Sequence, residues 1–139
     1  MAKFTKEELE RSNFKMSKAH KKLFVDALRS GDYEKTVGAY IEHVEGPNGK
    51  PCLCAAGVYL AQLNELDDLF DAQEDGDMCS IDFGDLHKDP KGNGNQDLIG
   101  HIIDMNDTLN CSFEMIAMWI EEHVEGVNAK ELTDYHYKD

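Results

Sequence analysis

No stretch of this 139-residue chain comes near the length of a membrane span, which takes about 18 consecutive apolar residues. The opening Met1–Leu9 segment also lacks the apolar core of a secretory signal. The sequence therefore reads as a cytoplasmic protein with no membrane partner. Basic residues are scarce, 14 Lys and Arg against 28 Asp and Glu for a formal charge of −14. Such a balance disfavours direct contact with DNA, RNA or an anionic bilayer, which need cations to displace phosphate counterions. A phosphate-cradling glycine loop is missing, because Gly92-Asn93-Gly94-Asn95 has neither a preceding strand nor a following Lys-Ser. The six histidines are dispersed, with no His-x-x-x-His pair, and no cofactor is expected. The four cysteines, Cys52, Cys54, Cys79 and Cys111, are expected as free thiols in a reducing compartment. The length suits one domain, 1–139, with a core of its own.

What charge there is falls unevenly. Lys3, Lys6, Arg11, Lys15, Lys18, Lys21 and Lys22 face only Glu7, Glu8 and Glu10 at the start of the chain. Further on, Glu65, Asp67, Asp68, Asp71, Glu74, Asp75, Asp77, Asp82, Asp85 and Asp89 share their stretch with one lysine, Lys88.

Apolar spacing and turn chemistry place the elements. Thr5 with Glu8 forms a capping-box pattern, and Ala19, Leu23, Phe24, Ala27 and Leu28 recur at helical spacing until Gly31, so a basic helical segment is expected over 5–30. Alternation at Val37, Ala39 and Ile41, then the turn Gly46-Pro47-Asn48-Gly49, predicts a hairpin over 36–54. Residues 55–68 are apolar nearly all round, as in a core helix. An acidic surface excursion is expected over 65–97, with a short strand near Met78–Phe83. Helices are expected over 97–106 and 113–125, the second capped by Ser112 and facing inward through Phe113, Ile116, Ala117, Ile120 and Val124. Asn128 with Glu131 marks a brief terminal helix. The fold class is α+β, a compact mainly helical single domain with a small antiparallel β-hairpin.

Three blocks stand out, ALRSGDY at 27–33, PCLCAAG at 51–57 and MNDTLNCSFEMIA at 105–117. In order and composition they resemble small uncharacterised phage and prophage proteins with "ALRSGxY", "CCLGVL" and "LNDxGxSFxxIAxxIE" blocks. Here Leu53 separates the two cysteines and Thr108–Cys111 fills the short glycine turn. The resemblance implies a phage setting, hence a host bacterial cytoplasm, and a shared fold, but no particular reaction.

Candidate sites follow from side-chain chemistry. Cys52 and Cys54 precede a helix whose positive end favours a thiolate, and His43 on the facing strand, or His101 with Asn106 or Asp107, would supply a base; buried packing is the expected role, with a cysteine enzyme as an alternative. Asp71, Gln73, Asp75, Gly76 and Asp82 approximate a calcium loop. Gln at its third ligand position and a short terminal Asp weaken it, so a solvated acidic loop is expected, and no metal. Asn106 and Asp107 either present polar groups to a ligand or join two helices. Trp119 and Met118 lie off the inward stripe, as a homodimer contact or a second core face.

The leading expectation is a phage-type accessory protein that binds and modulates or inhibits a host protein having a basic nucleic-acid-binding groove, in the manner of a nucleic-acid mimic. The contact would be Asp67, Asp68, Asp71, Glu74, Asp75, Asp77, Asp82 and Asp85. The alternative is a small-ligand or nucleotide binder using Lys18, Lys21, Lys22, Arg29, Asn106 and Asp107.

Overall fold

A computed structural model describes residues 14–86, 96–128 and 130. The expected helix start at Thr5, the turn-rich stretch 87–95 and the terminal helix after Asn128 lie outside the described residues. Within them the fold is α+β, with five α-helices and two small sheets.

The first described element is a strand, β1 (Lys15–Ser17), inside the segment expected to be helical over 5–30; it pairs in parallel with β5 (Glu125–Val127). Neither strand shows in the sequence, because each is only 3 residues long and carries no alternating run. Ser17 then caps α1 (Lys18–Arg29), its hydroxyl accepting the His20 N–H. Phe24, Val25, Ala27 and Leu28 form the buried face of α1, at the expected helical spacing.

The hairpin is present but shorter than expected. β3 (Ile41–His43) runs antiparallel to β4 (Cys52–Leu53), with an irregularity between Ile41 and His43, and the turn closes through Gly46 N–H to Lys50 O at 2.8 Å. Residues 37–40 are not strand: Gly38 sits at φ 81°, which breaks the extended run. A third strand, β2 (Glu34–Lys35), pairs in parallel with the other edge of β4, so the sheet order is β2-β4-β3. The free edge of β3 is closed by a side chain. Gln73 Oε1 accepts the Ile41 N–H at 3.1 Å and Gln73 Nε2 donates to Ile41 O at 2.6 Å, as a further strand would.

The core helix ends earlier than its apolar composition suggests. α2 (Ala55–Leu63) buries Ala55 through Leu60 without a break. It stops at Asn64, whose amide reaches Leu60 O at 3.0 Å and Asp82 O at 2.9 Å while its carbonyl accepts the Asp82 N–H at 3.1 Å. Gly57 is required by packing: a Cβ there would run into the carbonyl of Tyr40.

The first part of the acidic stretch is a helix rather than an excursion. α3 (Leu66–Asp75) buries Leu69 and Ala72, and Gly76 closes it in the left-handed region at φ 72°, with the Asp77 N–H on Ala72 O at 2.8 Å. Partly buried Leu66 and Phe70 pack against the core beside them and Gln73 bonds to Ile41, which holds the helix in place despite its acidic outer face. The expected strand near Met78 is a 3-10 turn, Met78–Ser80, followed by a second, Gly84–Leu86.

α4 (Gln96–Asp107) and α5 (Phe113–His123) complete the core. Leu98, Ile99, Ile102 and Met105 are buried on α4, and Ile116, Ala117 and Ile120 on α5, whose N-cap Ser112 accepts the Met115 N–H. Trp119 is buried as well, its ring centroid 5.8 Å from Phe14 and 6.1 Å from His101, so this side of α5 is a second core face. Met118 stays exposed.

Candidate functional site

Two places concentrate chemistry: the outer face of α3 with the turns after it, and a cleft between the lead into β3 and the ends of three helices.

On α3, Leu69 and Ala72 face inward, which turns Asp67, Asp68, Asp71, Glu74 and Asp75 to solvent behind the exposed Glu65 cap. Asp77 and Asp82 continue the exposed row, Asp77 accepting from the Cys79 thiol at 3.0 Å and Asp82 from the Gly84 N–H at 2.8 Å. Among the described residues none of these carboxylates forms an ion pair with Lys, Arg or His. Asp85 does not belong to the row. Its Oδ2 accepts both the Ser17 N–H at 3.0 Å and the Ser17 hydroxyl at 2.9 Å, and lies 3.3 Å from His20 Nδ1. Its own N–H donates to the Tyr59 hydroxyl at 2.8 Å. Asp85 is therefore a clasp between the start of α1 and the second 3-10 turn, not a partner contact. The Phe83-Gly84 turn chemistry hinted at a bend there, but nothing in the sequence names Ser17, His20 and Tyr59 as the groups that receive it.

The calcium-loop alternative fails on geometry. Asp71 and Asp75 stand one turn apart on a regular helix, Gln73 is spent on β3, and Asp82 lies beyond the first 3-10 turn. No group of three or more His, Cys, Asp or Glu side chains among the described residues is placed to hold a metal ion.

The cysteine-enzyme alternative is not assembled either. Cys54 is the N-cap of α2, its Sγ accepting the Gly57 N–H at 3.4 Å, and burial pushes the thiol up to about 11 despite the backbone donors around it. Burial, with Glu34 and Glu42 nearby, also raises the Cys52 thiol. His43 is exposed and its Nε2 lies 3.6 Å from Glu42, while His101 stacks on Trp119. Among the described residues neither buried thiol has an imidazole partner. Cys52 and Cys54 pack, as their residue type favours.

The proposed ligand set is split. Lys18, Lys21 and Lys22 line an open cleft of about 540 Å³ together with Asp26 and Glu121. Lys22 is bonded to Asp26 at 2.6 Å, and Lys21 donates to Glu121 O at 3.3 Å. Arg29 does not line that cleft and is held by Glu121, which does, at 2.8 Å and by Glu114 at 2.6 Å, which raises its already high pKa. Asn106 is fully buried between α2 and the segment before β3: its Oδ1 accepts the Ala55 N–H at 3.0 Å, and its Nδ2 donates to Thr36 O at 2.8 Å and Asp107 Oδ1 at 2.7 Å. Asn106 is structural.

Asp107 belongs to a different cleft. A volume of about 410 Å³ is lined by Gly38, Ala39, Tyr40, Cys54, Gln73, Met78, Ile103 and Asp107. Of these, sequence reasoning gave a ligand-binding role only to Asp107, and named Cys54 and Gln73 for other chemistry. The one usable signal was Gln73, the lone neutral polar residue amid the α3 carboxylates, four positions after the buried Leu69.

Comparison with protein-family models, with curated proteins and with solved structures finds no match. The functional reading therefore rests on the residues themselves. Among the described residues no helix is long and apolar enough to cross a membrane.

Proposed function

We propose that this chain is a small acidic binding protein that captures a partner through the outer face of α3 and the turns that follow it. The observation that carries this reading is the row of exposed carboxylates, Asp67, Asp68, Asp71, Glu74, Asp75, Asp77 and Asp82, without a cationic partner among the described residues.

Asp67 and Asp68 in the first turn suit the positive end of the helix dipole, but the rest of the row works against the helix that bears it. Asp67–Asp71 and Asp71–Asp75 are like charges at i,i+4, each pair costing about 0.2–0.5 kcal/mol in an isolated helix. Glu74 and Asp75 sit at the negative end of the α3 dipole, and its last turn has no basic residue. A solubilising charge would serve as well at less costly positions. A carboxylate row repeating about every 6 Å along the helix axis instead suits a basic groove that ordinarily receives phosphates.

The phage setting implied by the sequence blocks points to a host protein as the partner, and modulation of that protein's nucleic-acid contact as the consequence. The nucleotide-binding alternative has less support, because acidic groups share the lysine cleft and Arg29 is already paired.

The test compares tagged wild-type protein with a variant carrying Asp67→Lys, Asp68→Lys, Asp71→Lys and Asp75→Lys. Both are used to capture proteins from host lysate at low and high salt, with circular dichroism to establish that the variant is folded. Capture that is salt-sensitive and lost in the variant supports the reading. Capture that survives the four reversals removes α3 from the contact.

A further inference from the structure

We infer that the cleft between Tyr40, Cys54, Ile103 and Asp107 is a binding site for a small organic monocation, an amine with an apolar body. Its volume, about 410 Å³, falls within the range of pockets that hold small ligands. Half of its eight lining residues carry apolar or aromatic side chains: Ala39, Tyr40, Met78 and Ile103. The single charged group is Asp107.

The hydrogen bonds already made decide which lining groups remain available. Gln73 is engaged at both ends by Ile41, and the Cys54 thiol accepts from Gly57. Ala55 N–H, at the positive end of α2, is taken by Asn106, so this helix end offers little to an anion. Asp107 receives one bond, from Asn106 to its Oδ1. The Tyr40 hydroxyl receives none among the described residues. The cleft thus presents a carboxylate with spare acceptor capacity beside an aromatic side chain and apolar walls. An ammonium group satisfies both polar elements, by ion pairing and by contact with the ring. A phosphate or carboxylate ligand would meet only like charge. A bare metal ion would find one carboxylate where it needs several oxygen ligands.

The cleft borders α3 through Gln73 and the following turn through Met78, but none of the carboxylates of the α3 row lines it, so the two readings are tested by different substitutions. The test uses 2-phenylethylamine, with 2-phenylethanol and phenylacetate as neutral and anionic counterparts, followed by amide NMR shifts on the full chain. The amine is expected to shift Tyr40, Ala55, Gln73 and Asp107 saturably. The alcohol and the acid should bind at least tenfold more weakly. Asp107→Asn keeps an acceptor for Asn106 and should weaken the amine at least tenfold. Ala39→Leu fills the cleft without changing charge and should also abolish the shifts, which covers failure of the first variant to fold. The four-lysine α3 variant should bind the amine as the wild type does. The proposal is overturned if the acid binds as well as the amine, if no saturable shift occurs, or if binding is lost in the α3 variant and retained in Asp107→Asn.

Discussion

Asn106 Oδ1 accepts the backbone N–H of Ala55 at 3.0 Å, tying the last turn of α4 to the first turn of α2 across 51 residues of chain. The same amide donates to Thr36 O at 2.8 Å, so one fully buried side chain joins the second and third sequence blocks to the strap before β3. A buried polar group used this way holds a specific arrangement rather than adding bulk stability.

Truncating it should therefore be costly. Asn106→Ala strands the Ala55 donor and the Thr36 acceptor in the core, at about 1–3 kcal/mol for each stranded group. Urea denaturation should show a loss of several kcal/mol, far beyond the roughly 0.5 kcal/mol of an ordinary surface substitution. A loss below about 1 kcal/mol would mean that the network relaxes or that water replaces the amide.

Gly57→Ala should be among the most damaging single-methyl additions in the chain. The new Cβ would meet the Tyr40 carbonyl, which is held by the Cys54 N–H at 3.1 Å, so relief requires moving backbone and breaking that bond. Overpacking of this kind costs about 1–3 kcal/mol and more where backbone is the obstacle. Thermal denaturation should place the variant well below Gly100→Ala, where a Cβ meets nothing within 4 Å.

Cys54 makes stability sensitive to alkali. Its thiol is raised from the ordinary 9.0 to about 11 by burial, so the unfolded chain ionises first. The contribution is complete below about pH 9 and is lost as pH rises toward 11. Burial raises the Tyr59 hydroxyl in the same direction. Cys54→Ser keeps an N-cap oxygen for the Gly57 N–H and removes the ionising thiol. Its unfolding free energy should fall less steeply than that of the wild type between pH 9 and 11. Equal slopes would show that the Cys54 thiol ionises as easily when folded as when unfolded.

Charge reversal on α3 should stabilise the fold while it weakens binding. Asp71→Lys converts two like-charge i,i+4 pairs into attractive ones, for about 1 kcal/mol in total at low salt. The gain should shrink in 0.5 M sodium chloride, because ~3 Å screening lengths are approached as salt nears 1 M. A destabilised variant would show that Asp71 has a structural role in the native state.

Much of the architecture could be read before the structure. Helical apolar spacing and cap residues located α4 and α5 to within a few residues, because amphipathic faces and N-caps such as Ser112 are local signals, whereas for α1 only the end near Gly31 was legible: the segment expected over 5–30 takes in the strand β1, and the Ser17 cap was not foreseen. The GPNG turn located the β3–β4 hairpin for the same reason. The strands β1, β2 and β5 were illegible, since strands of two or three residues pair through backbone alone and leave no pattern in side chains. The break at Asn64 was hidden by the apolar run around it, and its cause is a bond to Asp82, 18 residues away.

The sites divide along the same line. Composition and spacing by themselves determined that the chain is strongly acidic, that its negative charge centres on residues 65–85, and that Cys52 and Cys54 lie just ahead of a helix. Tertiary structure alone decided which acids face solvent and which is consumed, because burial depends on what packs from elsewhere: Asp85 folds back onto Ser17 while Asp71 does not. It also decided that Asp107, rather than Asn106, faces a cleft. Adjacent residues near the end of one helix point in different directions, and only the placement of α2 and Tyr40 determines which direction is core and which is a binding wall.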